Sequence, residues 1–334
     1  MEKVLEQKIE AIIKSSLKQG SIFCLRDDIR FIPNANATEN KEEVVQLLLA
    51  NGKLTLQDCF LLSAIHSLGN STAPIIVRKL AMEKRRNPEQ DIPCYDSRSL
   101  KRRLKVLVQY GLLYSFSYDT EEHATTVVVY RCTMLGWRVF RTKLMQQNIA
   151  FDKLSHYLST SDVFRKLTAN SVAFSFAADE RCGGVILNEN ILYGEGEKPK
   201  KLLLYARTSL SNDSIKRRYI IEPVYFMVES EVLSEEQNLK YIEDRISQLQ
   251  DMIEYYIEKE EWDVRLVFAV ENLEGLLKLL SILKQKEMNF FMKYATFTAE
   301  NVIANNNYRL DTSFLKMVTV NGKNMMKLDL DSII

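Results

Sequence analysis

Apolar residues recur every third or fourth position over several stretches of the chain and crowd into short runs over others, and these two patterns predict its elements. Val4, Leu5, Ile9, Ile12, Ile13 and Leu17 keep helical spacing, and positions 18–40 then lose it among Gly20, Pro33, Asn34, Asn36 and Asn40, an irregular lead-in. A short helix over 41–50 stops at Asn51-Gly52. Thr55 caps a helix carrying Leu61, Leu62, Ile65 and Leu68 up to Gly69. Ser71-Thr72 predict the cap of a second helix, with Pro74 in its first turn and Ile75, Ile76, Val77, Leu80 and Met82 along it. Pro88 and Pro93 exclude a continuous helix over 86–95, and a third helix starts after Asp96 or Ser97 and ends at Gly111. Runs 112–118 and 125–131 are β-branched and aromatic, with polar 119–124 between them, which predicts a hairpin. Thr133 opens a closing helix over 134–145 with Trp137, Phe140 and Leu144 on one side.

The second half reads as a helix over 151–167, strands over 171–177, 202–210 and 219–232, a long helix over 234–260, a strand over 264–270, a helix over 273–286 and a strand-like stretch over 290–298. Polar, glycine-bearing 179–201 reads as a flexible loop. The predicted fold class is therefore α+β: an N-terminal winged helix-turn-helix over 41–148, preceded by a lead-in over 1–40 and followed over 149–334 by an α/β mixed-sheet domain of α-β-β-β-α-β order.

Charge gives the third helix its meaning. Ser97 to Lys105 holds five basic residues and no acid. Leu100, Leu104, Leu107 and Val108 form one apolar stripe, which turns Arg98, Arg102, Lys105 and Gln109 to the opposite face with Lys101 beside them. A basic helix face alone is ordinarily just solvated. On the third helix of a helix-turn-helix, however, it has the size and charge to enter the major groove of double-stranded DNA, with Arg98 and Arg102 as candidates for base edges. Lys84, Arg85 and Arg86 close the second helix, and positions 41–148 hold 16 Lys and Arg against 10 Asp and Glu, so phosphate attraction concentrates there. The hairpin tip, with Asp119, Glu121, Glu122 and His123, is acidic, which keeps open a protein-interaction adaptor.

The stretch Tyr130 to Phe140, with Thr133 and Gly136, resembles the strand, Thr-x-x-Gly, helix ending of many bacterial winged-helix proteins. The α-β-β-β-α-β order resembles the core of PD-(D/E)xK nucleases, and its pairing with an N-terminal winged helix resembles the replication-relaxation family and related accessory proteins of plasmids and conjugative elements. That resemblance implies a replication, mobilisation or transcription accessory of a mobile element, with replication or mobilisation proteins as partners. Active PD-(D/E)xK members hold a divalent metal with an Asp and a Glu-x-Lys. Here Glu229-Ser230-Glu231 stands in place of Glu-x-Lys and the 202–210 strand supplies no acid, so a non-catalytic domain is expected. The rival is a nuclease using Glu229, Glu231 and a displaced Lys240, with Glu222 and Asp179 or Asp213 completing a metal site.

No phosphate-binding glycine loop, Gly-x-Ser-x-Gly or His-Glu-x-x-His is present, and no cofactor is implied. His66 in the apolar first helix reads as a packed, hydrogen-bonded histidine. Leu239, Ile242, Ile246, Leu249, Ile253 and Tyr256 have the spacing of a coiled-coil seam, which would suit a homodimer; covering the domain's own sheet is the alternative. Overall composition changes little: 334 residues, 46% hydrophobic, net charge +1. Five scattered cysteines and no membrane-length apolar run predict a cytoplasmic protein.

Overall fold

The computed structural model describes residues 32–33, 48–120, 125–146, 148–151, 160–177, 179–195, 198–211, 216–226, 235–258, 263–270, 273–284, 288–298, 315–320 and 323–328. The helix expected over 1–17, the start of the 41–50 helix, the tip residues Glu121, Glu122 and His123, and Asp213, Glu229 and Glu231 lie outside the described residues. The fold is mixed α+β, and the chain divides at Val163–Phe164 into two main units, each with its own sheet.

The N-terminal unit runs β1 (Ile32–Pro33), α1 (Leu56–Leu68), β2 (Ser71–Thr72), α2 (Ala73–Arg86), α3 (Ser97–Gln109), β3 (Leu113–Thr120), β4 (Thr125–Cys132) and α4 (Met134–Lys143). Its sheet has the order β1-β3-β4-β2. Each helix begins where the sequence offers a cap. Thr55 and Asp58 form a reciprocal capping box on α1, Asp96 caps α3, and Thr133 caps α4 by accepting from the Gly136 amide. The exception is α2. Thr72 makes no side-chain cap bond; Ser71 and Thr72 instead pair as a short strand with Tyr130 and Val129. Leu61, Leu62, Ile65 and Leu68 of α1, Ile76 of α2, Leu100, Leu104 and Leu107 of α3 and Phe140 of α4 are all fully buried. His66 is packed as expected: its Nε2 lies 3.1 Å from the Ala150 carbonyl and its ring stacks on Phe151.

The C-terminal unit runs α5 (Thr160–Phe176), β5 (Cys182–Tyr193), β6 (Lys200–Ser211), β7 (Lys216–Val224), α6 (Glu235–Glu258), β8 (Asp263–Val270), α7 (Leu273–Lys284), α8 (Met288–Tyr294), β9 (Ala295–Thr298), β10 (Leu315–Val320) and β11 (Lys323–Leu328). The seven-stranded sheet keeps the order β11-β10-β9-β8-β7-β6-β5. Strands β5, β6 and β7 are antiparallel neighbours, whereas β7–β8 and β8–β9 are parallel. Ala169, Val172, Ala173 and Phe176 of α5 join one core, with Tyr219, Ile221 and Val267. The other core gathers α6, α7 and α8 with Leu204, Ile220, Leu266 and Phe268.

Three stretches fold differently from what their patterns predict. Positions 171–176 are not a strand but the end of α5, with Ala177 in the turn after it: Val172, Ala173, Phe174 and Phe176, with Ser171 and Ser175 between them, are buried all round the helix, which leaves no exposed polar face. The 179–201 stretch is not a loop but mostly β5, the outermost strand, whose bulge near Cys182–Gly184 and left-handed Asn188 (φ 52°) suit a sheet edge. The strand expected over 290–298 is split: Phe290 and Tyr294, four apart with ring centroids 5.0 Å from each other, belong to α8, and only 295–298 are extended. The apolar stripe of α6 also has a settled use. Ile242, Ile246, Leu249 and Ile253 are buried in their own unit's core, with Leu239 and Tyr256 packed against it, so this stripe covers the sheet of its own unit.

Among the described residues no helix is long and apolar enough to cross a membrane. Burial and the neighbouring Asp58 push the Cys59 thiol up to about 11, and burial also pushes Cys132 up, whereas Cys94 is exposed. Since the thiolate is the nucleophile, iodoacetamide at neutral pH is expected to modify Cys94 well before Cys59 or Cys132, as read by peptide mass spectrometry. Equal rates would contradict the burial of these two thiols.

Candidate nucleic-acid interface

Helix α3 is fixed from three directions. At its start, Asp96 Oδ1 accepts from the amides of Arg98 (2.7 Å) and Ser99 (2.9 Å), and the Ser99 hydroxyl donates to Asp96 Oδ2 (2.8 Å). These bonds from Ser99 and Arg98 hold the Asp96 carboxyl below its ordinary range. At its end, Gly111 takes the left-handed conformation (φ 70°) and the Leu112 amide donates to the Leu107 carbonyl (3.0 Å). Between the two, Leu100, Leu104 and Leu107 lock one face into the core, with Val108 half-buried at its margin.

The opposite face presents Arg98, Lys101, Arg102, Lys105 and Gln109, all exposed. The expected ridge is therefore present as a surface of four cations and one amide. Arg103, the fifth basic residue of the stretch, is not part of it. Its Nε donates to Asp58 Oδ1 (2.5 Å), its Nη2 to Asp58 Oδ2, and the same Nη2 to the Lys53 carbonyl (2.9 Å). The hydrogen bonds to Asp58 hold the Arg103 guanidinium above its ordinary range. Asp58 is 1% exposed and also accepts from the Thr55 amide (2.7 Å) and hydroxyl (2.9 Å). Helical geometry gave a partial signal. At about 100° per residue Arg103 falls roughly 60° from Leu100, on the flank of the buried stripe. Its partner, 45 residues away, left no local trace.

At the end of α2, Arg85 and Arg86 are exposed, as a phosphate-facing role requires. The Lys84 ammonium donates to the carbonyls of Pro88 (3.3 Å) and Gln90 (2.5 Å), tying down the turn between α2 and α3.

The second group of candidates, in the C-terminal unit, does not assemble among the described residues. Glu222 is buried, with both carboxylate oxygens 2.8 Å from Arg245 Nε and Nη2. Burial pulls the Arg245 guanidinium down, but the charge and hydrogen bonds of Glu222 outweigh it and the net shift is upward. Asp179 pairs with Arg181 (2.6 Å). Lys240 is exposed on α6. Among the described residues no three His, Cys, Asp or Glu side chains come together as a metal site.

No protein-family model matches the chain, and no curated protein does. Among solved structures, the chain is similar to one described as "Crystal structure of protein VC1899 from Vibrio cholerae", at 12% identity and a TM-score of 0.29. The match covers 80% of this chain but only 55% of that one, and a likeness of this size supports no assignment of fold or function.

Proposed function

We propose that this chain is a non-enzymatic, sequence-selective double-stranded DNA-binding protein, its N-terminal unit a winged helix that presents α3 to the major groove. One observation carries the reading: Arg98, Lys101, Arg102, Lys105 and Gln109 share an exposed face of a helix whose other face, cap and termini are all fixed by the protein. A rigid element bearing guanidinium groups suits paired contacts to guanine, and ammonium groups suit phosphate. The order α1, β2, α2, α3, β3, β4, α4, with β2 paired to β4, supports the winged-helix description. The C-terminal unit, whose helix α5, antiparallel strands β5 to β7, helix α6 and parallel strand β8 follow the α-β-β-β-α-β order, is a nuclease-like fold without a catalytic role in this reading. An accessory role in replication, mobilisation or transcription control on a mobile element belongs to the same proposal.

Gel-shift titration of the full chain against random duplex, and against duplexes selected from a random pool, tests it. Absence of binding at low salt overturns the reading in favour of a protein adaptor. Magnesium- or manganese-dependent nicking that Glu229→Ala abolishes would replace it with a nuclease. Arg98→Ala or Arg102→Ala is expected to weaken binding to the selected duplex by about 1–3 kcal/mol. Lys105→Ala is expected to weaken all duplexes alike and to lower the salt slope by about one. Equal behaviour of the three variants would contradict the division between base and phosphate contacts.

A further inference from the structure

Of the five basic residues from Arg98 to Lys105, one is turned inward, and its partner is the residue that caps another helix. Asp58 serves two structures at once: it closes the capping box at the start of α1 and receives both Nε and Nη2 of Arg103 on α3. The Lys53 carbonyl, just before α1, takes a further bond from the same guanidinium. This fork is planar and bidentate, so it fixes the direction of its helix and not merely the distance between two charges. Arg103 lies one residue after Arg102 and five after Arg98, so any roll or slide of α3 that breaks the fork also displaces both groups from a bound groove.

We propose that Arg103 and Asp58 form a register clamp, positioning residues that set where Arg98 and Arg102 arrive on DNA without touching it. The inference rests on the DNA-binding reading and adds a specific claim: sequence discrimination depends on a residue pair that contributes no DNA contact. A phosphate contact at Arg103 makes the opposite forecast, since a lysine there would keep nearly all of the affinity as a point charge.

The test compares the full chain with Arg103→Lys, Asp58→Asn and the double variant on two probes, a duplex selected by the unaltered protein and a random duplex, over a series of salt concentrations. Arg103→Lys keeps the charge and the aliphatic stem, and Asp58→Asn keeps an acceptor for the Thr55 amide, so each breaks the fork by a separate route. The clamp predicts that either variant lowers the ratio of selected to random affinity about tenfold or more, the equivalent of one misplaced base contact. It also predicts an unchanged salt slope for random duplex with Arg103→Lys, and a double variant no worse than the worse single one. A pair that only stabilises the fold would lower the melting temperature but leave that ratio at its original value well below melting, which overturns the clamp. So does a tenfold loss confined to Arg103→Lys, with Asp58→Asn unaffected. Failure of the unaltered chain to bind any duplex at low salt overturns the DNA reading itself, and the clamp with it.

Discussion

Arg245→Met is expected to destabilise the C-terminal unit by about 3–5 kcal/mol. Glu222 is 2% exposed, and both its oxygens lie 2.8 Å from the guanidinium that the substitution removes. The Leu203 carbonyl, which accepts from Arg245 Nη2 at 2.6 Å, loses that donor as well. The expected loss is therefore less the value of the ion pair than the penalty of leaving a carboxylate buried alone. One consequence separates these views. Replacing both partners by apolar residues, Arg245→Met with Glu222→Leu, should recover much of the loss, since desolvation of two charges offsets most of their attraction. Urea unfolding followed by far-UV circular dichroism of the single and double variants measures it. A single variant within about 1 kcal/mol of the original chain would show that Glu222 finds water or another partner.

Gly136→Ala should cost about 3 kcal/mol in the N-terminal unit, at the upper end of what overpacking usually exacts. A Cβ at this position would lie 2.2 Å from the Leu112 carbonyl oxygen and 2.9 Å from Cys132 Sγ. The first obstacle is backbone and cannot rotate away. It is also anchored, since the Leu112 carbonyl accepts from the Thr133 amide (3.1 Å) and hydroxyl (3.1 Å). Helix α4 must then move off the junction between α3 and β3, taking its cap with it. Because Thr133 also donates to the Gly111 carbonyl (2.9 Å), the end of α3 should feel the shift. Thermal unfolding reads the cost. A variant that melts with the original chain would mean that α4 does not pack this closely.

How legible these features were depended on distance along the chain. The ending Thr133 to Gly136 was visible because a cap and the small residue three places on are local. The exposed face of α3 was visible because four apolar positions fix its orientation whatever surrounds it. The strands flanking the hairpin, 113–120 and 125–132, likewise follow from β-branched and aromatic runs on either side of a polar turn. By contrast, the run from Ser171 to Ala177 is apolar or small at every position, and periodicity cannot distinguish a strand covered on both faces from a helix buried all round. Polar, glycine-bearing 179–201 reads as a loop because such residues concentrate in loops, yet an edge strand holds them too, and Glu189 there pairs with Arg207 of β6.

The sequence by itself determined where α1, α3 and α4 are capped, which face of α3 is apolar, and that the charge on its other face is positive, because each of these depends on neighbours within one or two turns. Only the tertiary structure decided that Arg103 pairs with Asp58, that Lys84 holds a turn, that the α6 stripe covers its own sheet and that Glu222 belongs to Arg245. Those choices join residues far apart in the chain, and burial and the need to satisfy every buried polar group select among partners that no local pattern ranks.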